Sequence, residues 1–244
     1  MNKIFKKDYH LRLSDFDKYN RIKPAAVLEL FQDAAGDHAN ELGIGRENML
    51  SRSLFWVIVR VKFRIISNPK SSDRVTVITW PIEPRRLCYP REFCIVNEEG
   101  ERLVEGSSDW AILNCERRRL VAVENLYPFT DGYHSELIFG ERAPGVPNFE
   151  ASDEPRIITP GFSDIDHNNH VNNTRYANYV MDAIAPDENE VLELFQIDYR
   201  KEVTEGTTLR LYSQREENVI LSRGVCDSGD VMFACRLEYK THRR

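Results

Sequence analysis

The amino-acid sequence predicts an α+β protein made of two similar units, each a long helix wrapped by an antiparallel β-sheet. Three observations lead to this fold class: an internal repeat, an apolar stripe at helical spacing early in each copy, and a run of short strand-like segments after each stripe. The repeat aligns SDFDKYNRI, which begins at Ser14, with SDIDHNNHV, which begins at Ser163. The same shift of 149 residues needs no gap and also aligns the two stripes.

The two apolar stripes predict one buried helix in each copy. The first stripe consists of Val27, Leu28, Phe31, Ala34 and Ala35, and the second of Tyr176, Ala177, Val180, Ala183 and Ile184. Pro24 stands at the expected first residue of the first helix, where its fixed φ suits the helix and its missing N–H needs no partner. Asn172 and Asn173 precede the second helix and can cap its free amides. Both helices therefore begin just after the repeated SD-x-D motif.

Segments rich in β-branched and aromatic residues follow each helix and predict antiparallel strands. They cover residues 54–66, 74–81, 91–97 and 107–115 in the first copy, and 192–203, 207–214, 219–226 and 231–239 in the second. Residues 128–156 hold a density of Pro and Gly that a central helix or strand does not tolerate. We therefore predict an N-terminal unit at 1–127, a linker at 128–156 and a C-terminal unit at 157–244. Because a sheet edge needs a partner, the two units should pack as an intramolecular pseudo-dimer.

Composition excludes several classes of function. The formal net charge of −6 and the pI near 5.6 give no electrostatic support for binding nucleic acid or an anionic membrane. Five cysteines without a CxxC spacing argue against a disulfide framework and a structural zinc site. No apolar run is long enough for a signal peptide or a membrane span, so we expect a cytoplasmic location.

The side chains that differ between the two copies indicate where a chemical site lies. If a duplicated enzyme keeps one site and lets the other drift, the informative residues are chemical in one copy and inert in the other. The aligned pairs are Tyr19 with Asn168, Arg21 with His170 and Ile66 with Glu202, while Asp17 and Asp166 match. The second copy therefore concentrates the candidate catalytic residues Asp166, Asn168, His170 and Glu202.

These groups suit hydrolysis of an activated acyl bond. A carboxylate can take a proton from water, an imidazole or an amide can orient that water, and hydrogen-bond donors can stabilise the oxyanion. The loop that carries Asp166, Asn168 and His170 runs into the start of the second helix, where free amides and the helix dipole can polarise a carbonyl oxygen. The sequence therefore predicts a thioester hydrolase without a nucleophilic serine or cysteine.

The motif Asp164-Ile-Asp166-His-Asn168-Asn-His170-Val-Asn-Asn173 resembles the signature of the acyl-acyl carrier protein (ACP) thioesterases, and Tyr199-Arg200-Lys201-Glu202 resembles their second catalytic segment. The resemblance covers nearly the whole chain. It implies two hot-dog units, an acyl pocket in the non-catalytic N-terminal unit, and hydrolysis of fatty acyl-ACP to free fatty acid and carrier. It also implies that Asp166, Asn168, His170 and Glu202 are catalytic and that no cofactor is needed.

The sequence departs from the plant members of this family in two respects. Val203 stands where many of them carry a cysteine after the glutamate, which excludes that thiol as a nucleophile and leaves a carboxylate-activated water or direct carboxylate attack. The transit peptide of the plant members is missing, so the chain resembles a bacterial, cytoplasmic member. Asp164 is expected to be structural, because Asp15 accompanies it in the first copy.

Simpler interpretations of these residues remain open. The polar loop can be only a turn and a helix cap, and Glu202 can be an exposed strand residue. His167 and His170 have an H-x-x-H spacing that suggests zinc, but three ligands within one loop seldom close a tetrahedral site, so we expect no metal. The apolar side chains of the first copy form either core or an acyl tunnel, and core is the default; they are Phe31, Trp56, Val59, Val61 and Phe63.

The carrier protein is the expected partner, and it is acidic. Two basic segments are candidates for docking it: one contains Arg85, Arg86 and Arg91, and the other runs from Arg117 to Arg119. Three rival functions remain: the same hydrolysis on acyl-coenzyme A, a hot-dog dehydratase acting on 3-hydroxyacyl thioesters, and an acyl-thioester binding module without turnover. The sequence leaves open the preferred acyl chain and whether two chains form a homodimer.

Overall fold

The structure is a computed structural model that describes residues 2–150 and 154–241. In the N-terminal part the strands are β1 Phe5–His10, β2 Leu54–Ile65, β3 Arg74–Pro81, β4 Tyr89–Val96, β5 Arg102–Asn114 and β6 Arg119–Leu120, and the helices are α1 Pro24–Glu41 and α2 Arg46–Leu50. In the C-terminal part the elements are β7 Arg156–Ile158, α3 Arg175–Ile184, β8 Glu190–Tyr199, β9 Leu209–Glu216, β10 Val219–Cys226 and β11 Val231–Thr241. Both parts follow the predicted order of helix and then sheet.

All eleven strands join one antiparallel sheet with the order β1-β3-β4-β5-β2-β8-β11-β10-β9-β7, and β6 adds to β5. The order β1-β3-β4-β5-β2 of the N-terminal unit is repeated as β7-β9-β10-β11-β8 in the C-terminal unit. The two units meet where β2 pairs with β8, from Arg60 opposite Asp198 to Arg64 opposite Leu194. Each unit thereby covers the open edge of the other, which is the pseudo-dimer that the repeat predicts.

The first helix, α1, packs its apolar stripe against the sheet of the N-terminal unit. Pro24 is its first residue, and every side chain of the predicted stripe is buried. The ring of Phe31 stacks on Phe93 with 4.3 Å between centroids and meets Phe63 edge-on at 6.2 Å. Gly106 makes this packing feasible, because a Cβ there would lie 2.4 Å from the Phe31 ring.

The helix of the second copy is α3, and it is shorter than the long helix that the sequence predicts. It has 10 residues against 18 in α1, and it ends where Ala185 takes a left-handed conformation with φ of 46°. Pro186 follows and cannot continue a helix. Tyr176, Ala177 and Val180 of the predicted stripe are buried, whereas Ala183 and Ile184 near the end are half-buried.

Edge strands and strand ends depart most from the sequence prediction. Strand β1 was not expected, because charged residues interrupt its apolar pattern. It is an edge strand, and its inward Lys7 pairs with Asp33 and Asp37 of α1. Strand β7 starts at Arg156, inside the predicted linker, and the short β6 was also missed. The segment predicted as a strand over 192–203 ends at Tyr199, because the amides of residues 200 and 201 both donate to the Met232 carbonyl. Glu202 therefore lies beyond the strand.

The linker crosses the sheet and bonds to its buried polar side chains. Over 128–150 the structure describes no helix or strand. The Val146 amide donates to Asp198 at 2.8 Å, and the Ala143 carbonyl accepts from Arg60 at 2.7 Å. The Ile138 amide donates to Glu92, whose pKa burial raises to about 7. Among the described residues, none of the helices has both the length and the apolar character required to cross a membrane.

Removing an aromatic ring at the junction of the units should destabilise the whole protein. Phe63 of β2 and Phe195 of β8 are paired across the junction, fully buried, and stacked with 5.3 Å between ring centroids. We expect Phe63→Ala to lower the free energy of unfolding by ~3–5 kcal/mol, measured by urea denaturation, because it leaves a cavity where both units meet. Ile66→Ala, at a side chain that is 53% exposed, is the control. Equal losses in the two variants would contradict a critical role for the junction.

Candidate active site

The candidate catalytic loop is a tight turn that brings residue 170 back beside residue 166. A 3₁₀ turn at Phe162–Asp164 leads into it, and Ile165 then bridges Val171. The Asp166 amide donates to the His170 carbonyl at 2.9 Å. Asn169 takes a left-handed conformation with φ of 62° at the tip, which Asn tolerates better than most residues.

The first copy keeps the same backbone loop with different side chains. Phe16 bridges Ile22, the Asp17 amide donates to the Arg21 carbonyl at 2.8 Å, and Asn20 has φ of 59°. Arg21 occupies the place of His170 and forms an ion pair with Asp17 at 2.9 Å. The two copies therefore differ in the chemistry of their side chains and share the path of the main chain.

The structure brings two of the four predicted site residues into direct side-chain contact. The Val171 amide donates to the Val203 carbonyl at 2.7 Å, which fastens the segment after β8 to the loop. As a result His170 Nε2 lies 3.2 Å from Glu202 Oε2. The Val203 side chain is fully buried. The position at which many plant members carry a cysteine therefore faces the interior in this chain.

Asp166 and Asn168 are in the same loop and are joined through the main chain. Asp166 Oδ1 accepts the Asn168 amide at 2.8 Å, as Asp17 Oδ1 accepts the Tyr19 amide in the first copy. The Asn168 side chain is exposed. Within the part of the chain that the structure describes, no hydrogen bond joins that side chain to His170 or Glu202. Asp166 thus has a structural role in the turn, whatever its chemical role.

Asp164 holds the entry to the loop, as predicted for a structural residue. Its Oδ2 accepts the Gly161 amide at 3.0 Å, and its Oδ1 accepts Arg175 Nε at 3.0 Å. Partial burial raises the pKa of Asp164, but these hydrogen bonds outweigh that effect and hold the pKa below its ordinary value. The carboxylate therefore stays ionised and ties the loop to the first residue of α3.

Glu202 has a partner that the sequence did not indicate. Its side chain is 37% exposed. Arg118 Nη2 lies 2.5 Å from Glu202 Oε2, the oxygen that also meets His170. Arg118 belongs to the N-terminal unit and is 84 positions away, so no local pattern could have revealed the pair.

A narrow apolar cleft of about 10 Å³ lies next to the loop, which is room for about one water molecule and far below the ~300–1,000 Å³ typical of ligand pockets. The N-terminal unit supplies most of its wall and the start of α3 supplies the rest; the lining includes Leu28, Phe31, Ile58, Val61, Phe93, Trp110, Asn173, Thr174 and Tyr199. Phe31 and Val61 are core residues that also line this cleft. Phe63 is buried core, whereas Trp56 and Val59 are half-buried.

The start of α3 offers main-chain donors beside the cleft. Asn172 Oδ1 accepts the Thr174 amide and hydroxyl, each at 2.9 Å, which forms a turn before the helix. Thr174 flanks α3, and among the described residues no side chain caps its first amides, so the predicted cap by Asn172 or Asn173 is wrong. The Asn173 carbonyl accepts the Tyr199 hydroxyl at 2.8 Å. Among the described residues, the Asn173 amide has no hydrogen-bond acceptor. This N–H is therefore free to bind an oxygen of a ligand in the cleft.

The alternative of a zinc site gains nothing from the donor geometry. His167 is exposed at the loop, whereas His170 turns to Glu202. Over residues 2–150 and 154–241, no three His, Cys, Asp or Glu side chains cluster closely enough to hold a metal ion.

Comparison with protein families shows which family the chain belongs to. The N-terminal domain of acyl-ACP thioesterases matches residues 2–127, and their C-terminal domain matches residues 150–240. The chain belongs to the acyl-ACP thioesterase family. The resemblance inferred from the signature at Asp164–Asn173 is thereby confirmed.

Individual acyl-ACP thioesterases resemble the chain in sequence and in fold. A chloroplastic acyl-ACP hydrolase of Cuphea viscosissima is 25% identical over 221 residues, covering 84% of this chain and 53% of that protein. The chain thus spans about half the length of the curated relatives it matches. An acyl-ACP thioesterase structure from Bacteroides thetaiotaomicron superposes with a TM-score of 0.90 at 21% identity and covers 98% of each chain. The 12:0-ACP thioesterase of Umbellularia californica gives 0.84 at 21% identity and covers 99% of each, so the predicted tandem hot-dog fold is confirmed.

Proposed function

We propose that the chain hydrolyses fatty acyl-ACP thioesters to free fatty acid and carrier thiol. The observation that carries the proposal is the His170–Glu202 contact of 3.2 Å, in a loop that leads directly to the free Asn173 amide at an apolar cleft. Family membership supports the substrate class, and the acyl-ACP hydrolase of Cuphea viscosissima agrees with it. The proposed catalytic side chains lie in the C-terminal unit, whereas most of the cleft wall belongs to the N-terminal unit.

The proposed reaction is a direct attack of water on the thioester carbonyl. The water oxygen bonds to the carbonyl carbon while its proton passes to Glu202 or Asp166, and His170 and Asn168 orient the water and the carbonyl. The Asn173 amide, at the start of α3, stabilises the oxyanion with help from the helix dipole. The carbon–sulfur bond then breaks, and the thiolate takes back the proton.

The acyl chain is proposed to enter the cleft between α1 and the N-terminal sheet. Phe31, Val61 and Phe93 give the cleft an apolar lining, Asn173 forms part of its wall, and the cleft has to widen before it holds an acyl chain. An acyl group in the cleft would therefore leave its thioester at the start of α3. This assigns the acyl pocket to the N-terminal unit and the chemistry to the C-terminal unit, a division that also rests on the unit boundaries proposed from the sequence.

The basic turn between β5 and β6 is the proposed dock for the acidic carrier. Arg117 and Arg119 are exposed there, on both sides of the residue that reaches Glu202. In the other basic segment Arg91 is not available for docking, because its side chain is only 5% exposed and donates to His38 in the interior. An acidic carrier that binds the turn between β5 and β6 would bring its thioester to the site. This favours docking at that turn over docking at Arg85 and Arg86.

Substitution of the contacting pair should abolish most turnover while the fold is retained. We expect His170→Ala and Glu202→Gln each to lower kcat by ~10²-fold or more on acyl-ACP, because each removes a positioned acid-base group. Mass spectrometry measures the free acid released from acyl-ACP and, in parallel, from acyl-coenzyme A. Far-UV circular dichroism checks folding. Full activity in both variants would place the site elsewhere.

The chemical role of Asp166 can be separated from its role in the turn. Asparagine can still accept the Asn168 amide, so Asp166→Asn keeps the loop and removes the charge. We expect Asp166→Asn to lower kcat by ~10²-fold, as for loss of an acid-base group, and the matched Asp17→Asn in the first copy to leave kcat unchanged. If the two variants behave alike, Asp166 acts only as a turn residue.

Charge reversal should separate docking from chemistry. We expect the double variant Arg117→Glu and Arg119→Glu to raise KM for acyl-ACP about tenfold, since steering charges chiefly affect association, while a small acyl thioester is turned over as before. The same reversal at Arg85 and Arg86 should change neither constant. If only that second reversal raises KM for the carrier, docking takes place on the turn between β3 and β4.

A further inference from the structure

Arg118 is placed by the turn between β5 and β6, far from the catalytic loop in sequence. The Arg118 amide donates to the Asn114 carbonyl at 3.0 Å, and the Arg117 amide donates to Asn114 Oδ1 at 2.9 Å. β6 then pairs back onto β5 through Leu113 and Asn114. The guanidinium also lies over the Phe55 ring, 5.7 Å from its centroid. The backbone and the ring together direct Arg118 toward the C-terminal unit.

The guanidinium meets Glu202 at the oxygen that His170 uses. Arg118 Nη2 is 2.5 Å from Glu202 Oε2, and His170 Nε2 is 3.2 Å from the same atom. Within the described part of the chain, Glu202 Oε1 accepts no hydrogen bond. One oxygen therefore accepts a hydrogen bond from Arg118 and lies close to His170 Nε2, and the other is left to face water or substrate.

This ion pair does little for stability, so a role in holding the fold does not explain it. The side chains of Arg118 and Glu202 are 56% and 37% exposed, and ion pairs at such exposure contribute little to folding. What the pair can do is restrict a flexible glutamate to one position. Small displacements of catalytic groups have large effects on rate, so this restriction matters for turnover.

We infer that Arg118 is a positioning residue, supplied by the N-terminal unit, that holds Glu202 against His170 for the hydrolysis. The inference rests on the proposed function. In the folded chain the carboxylate of one unit is thus oriented by a cation of the other, and the catalytic unit is incomplete without its partner unit. The basic turn then has two roles: Arg118 completes the site, and its neighbours Arg117 and Arg119 face the carrier.

The test uses the full chain and two substrates that carry the same acyl group, one on ACP and one on N-acetylcysteamine, which has neither carrier nor phosphate. We expect Arg118→Gln to lower kcat about tenfold on both substrates, by displacing Glu202. Arg118→Lys, which keeps the charge but loses the fork geometry, should restore part of the rate.

Controls separate this inference from the proposed function. Arg52→Gln, at another exposed arginine of the N-terminal unit, should match the wild type on both substrates. Failure of the wild-type chain to release acid from either substrate would refute the hydrolysis itself. A wild type that turns over, with Arg118→Gln raising only KM for the carrier substrate, would make Arg118 a docking residue and overturn the inference. Unchanged kcat and KM on both substrates would overturn it as well.

Discussion

The pairing of β2 with β8 is the constraint on which the rest of the structure depends. Each unit alone would expose a long central strand, and an exposed edge of that kind invites aggregation. A slip of one residue in this ladder would turn every side chain to the other face of the sheet. Two features fix the register: Arg60 holds its partner Asp198 through two nitrogens, and Phe63 stacks on Phe195. A buried ion pair adds little net stability, but a register that separates its partners leaves a buried charge unpaired and is costly. Arg60 and Asp198 therefore specify register more than they add stability.

This junction also explains how the candidate site is assembled. The two units carry the same backbone loop, so duplication supplied a frame and left the side chains free to diverge. Where the first copy has Arg21 bound to Asp17, the second has His170 facing Glu202. The junction brings the turn that carries Arg118 within reach of that carboxylate. The cleft likewise takes its wall mainly from one unit and its polar end from the other.

Local patterns in the sequence were sufficient for much of the fold. Pro24 and the apolar stripe predicted α1, and the aligned motifs from Ser14 and Ser163 predicted two equivalent loops. The same repeat predicted a pseudo-dimer, since both copies needed a partner for their sheets. The end of α3 at Ile184 agrees with the last residue of the predicted stripe, and Pro186 marks it in the sequence. The end of β8 was less accurate: the strand stops at Tyr199 because two amides share one carbonyl, which neither propensity nor periodicity can detect.

Contacts between distant segments account for what the sequence could not predict. Glu202 was expected within a strand, whereas it lies beyond β8 and is exposed beside an arginine of the other unit. The contact of His170 with Glu202 was anticipated only because the repeat contrast and the family signature both selected these residues. The buried carboxylates under the linker, among them Glu92 and Asp198, became explicable only when the linker amides were seen to bond to them. The register of strand pairing between the two units decides which distant residues come into contact.

One measurement addresses hydrolysis by this site most directly: a fatty acyl-ACP is incubated with the wild-type chain in ¹⁸O-labelled water, and both products are weighed by mass spectrometry. If water attacks the thioester carbonyl, free fatty acid with one ¹⁸O atom should accumulate over many turnovers, together with an equal amount of carrier thiol. Recovery of intact acyl-ACP in a stable complex with the chain would contradict hydrolysis and favour a binding module.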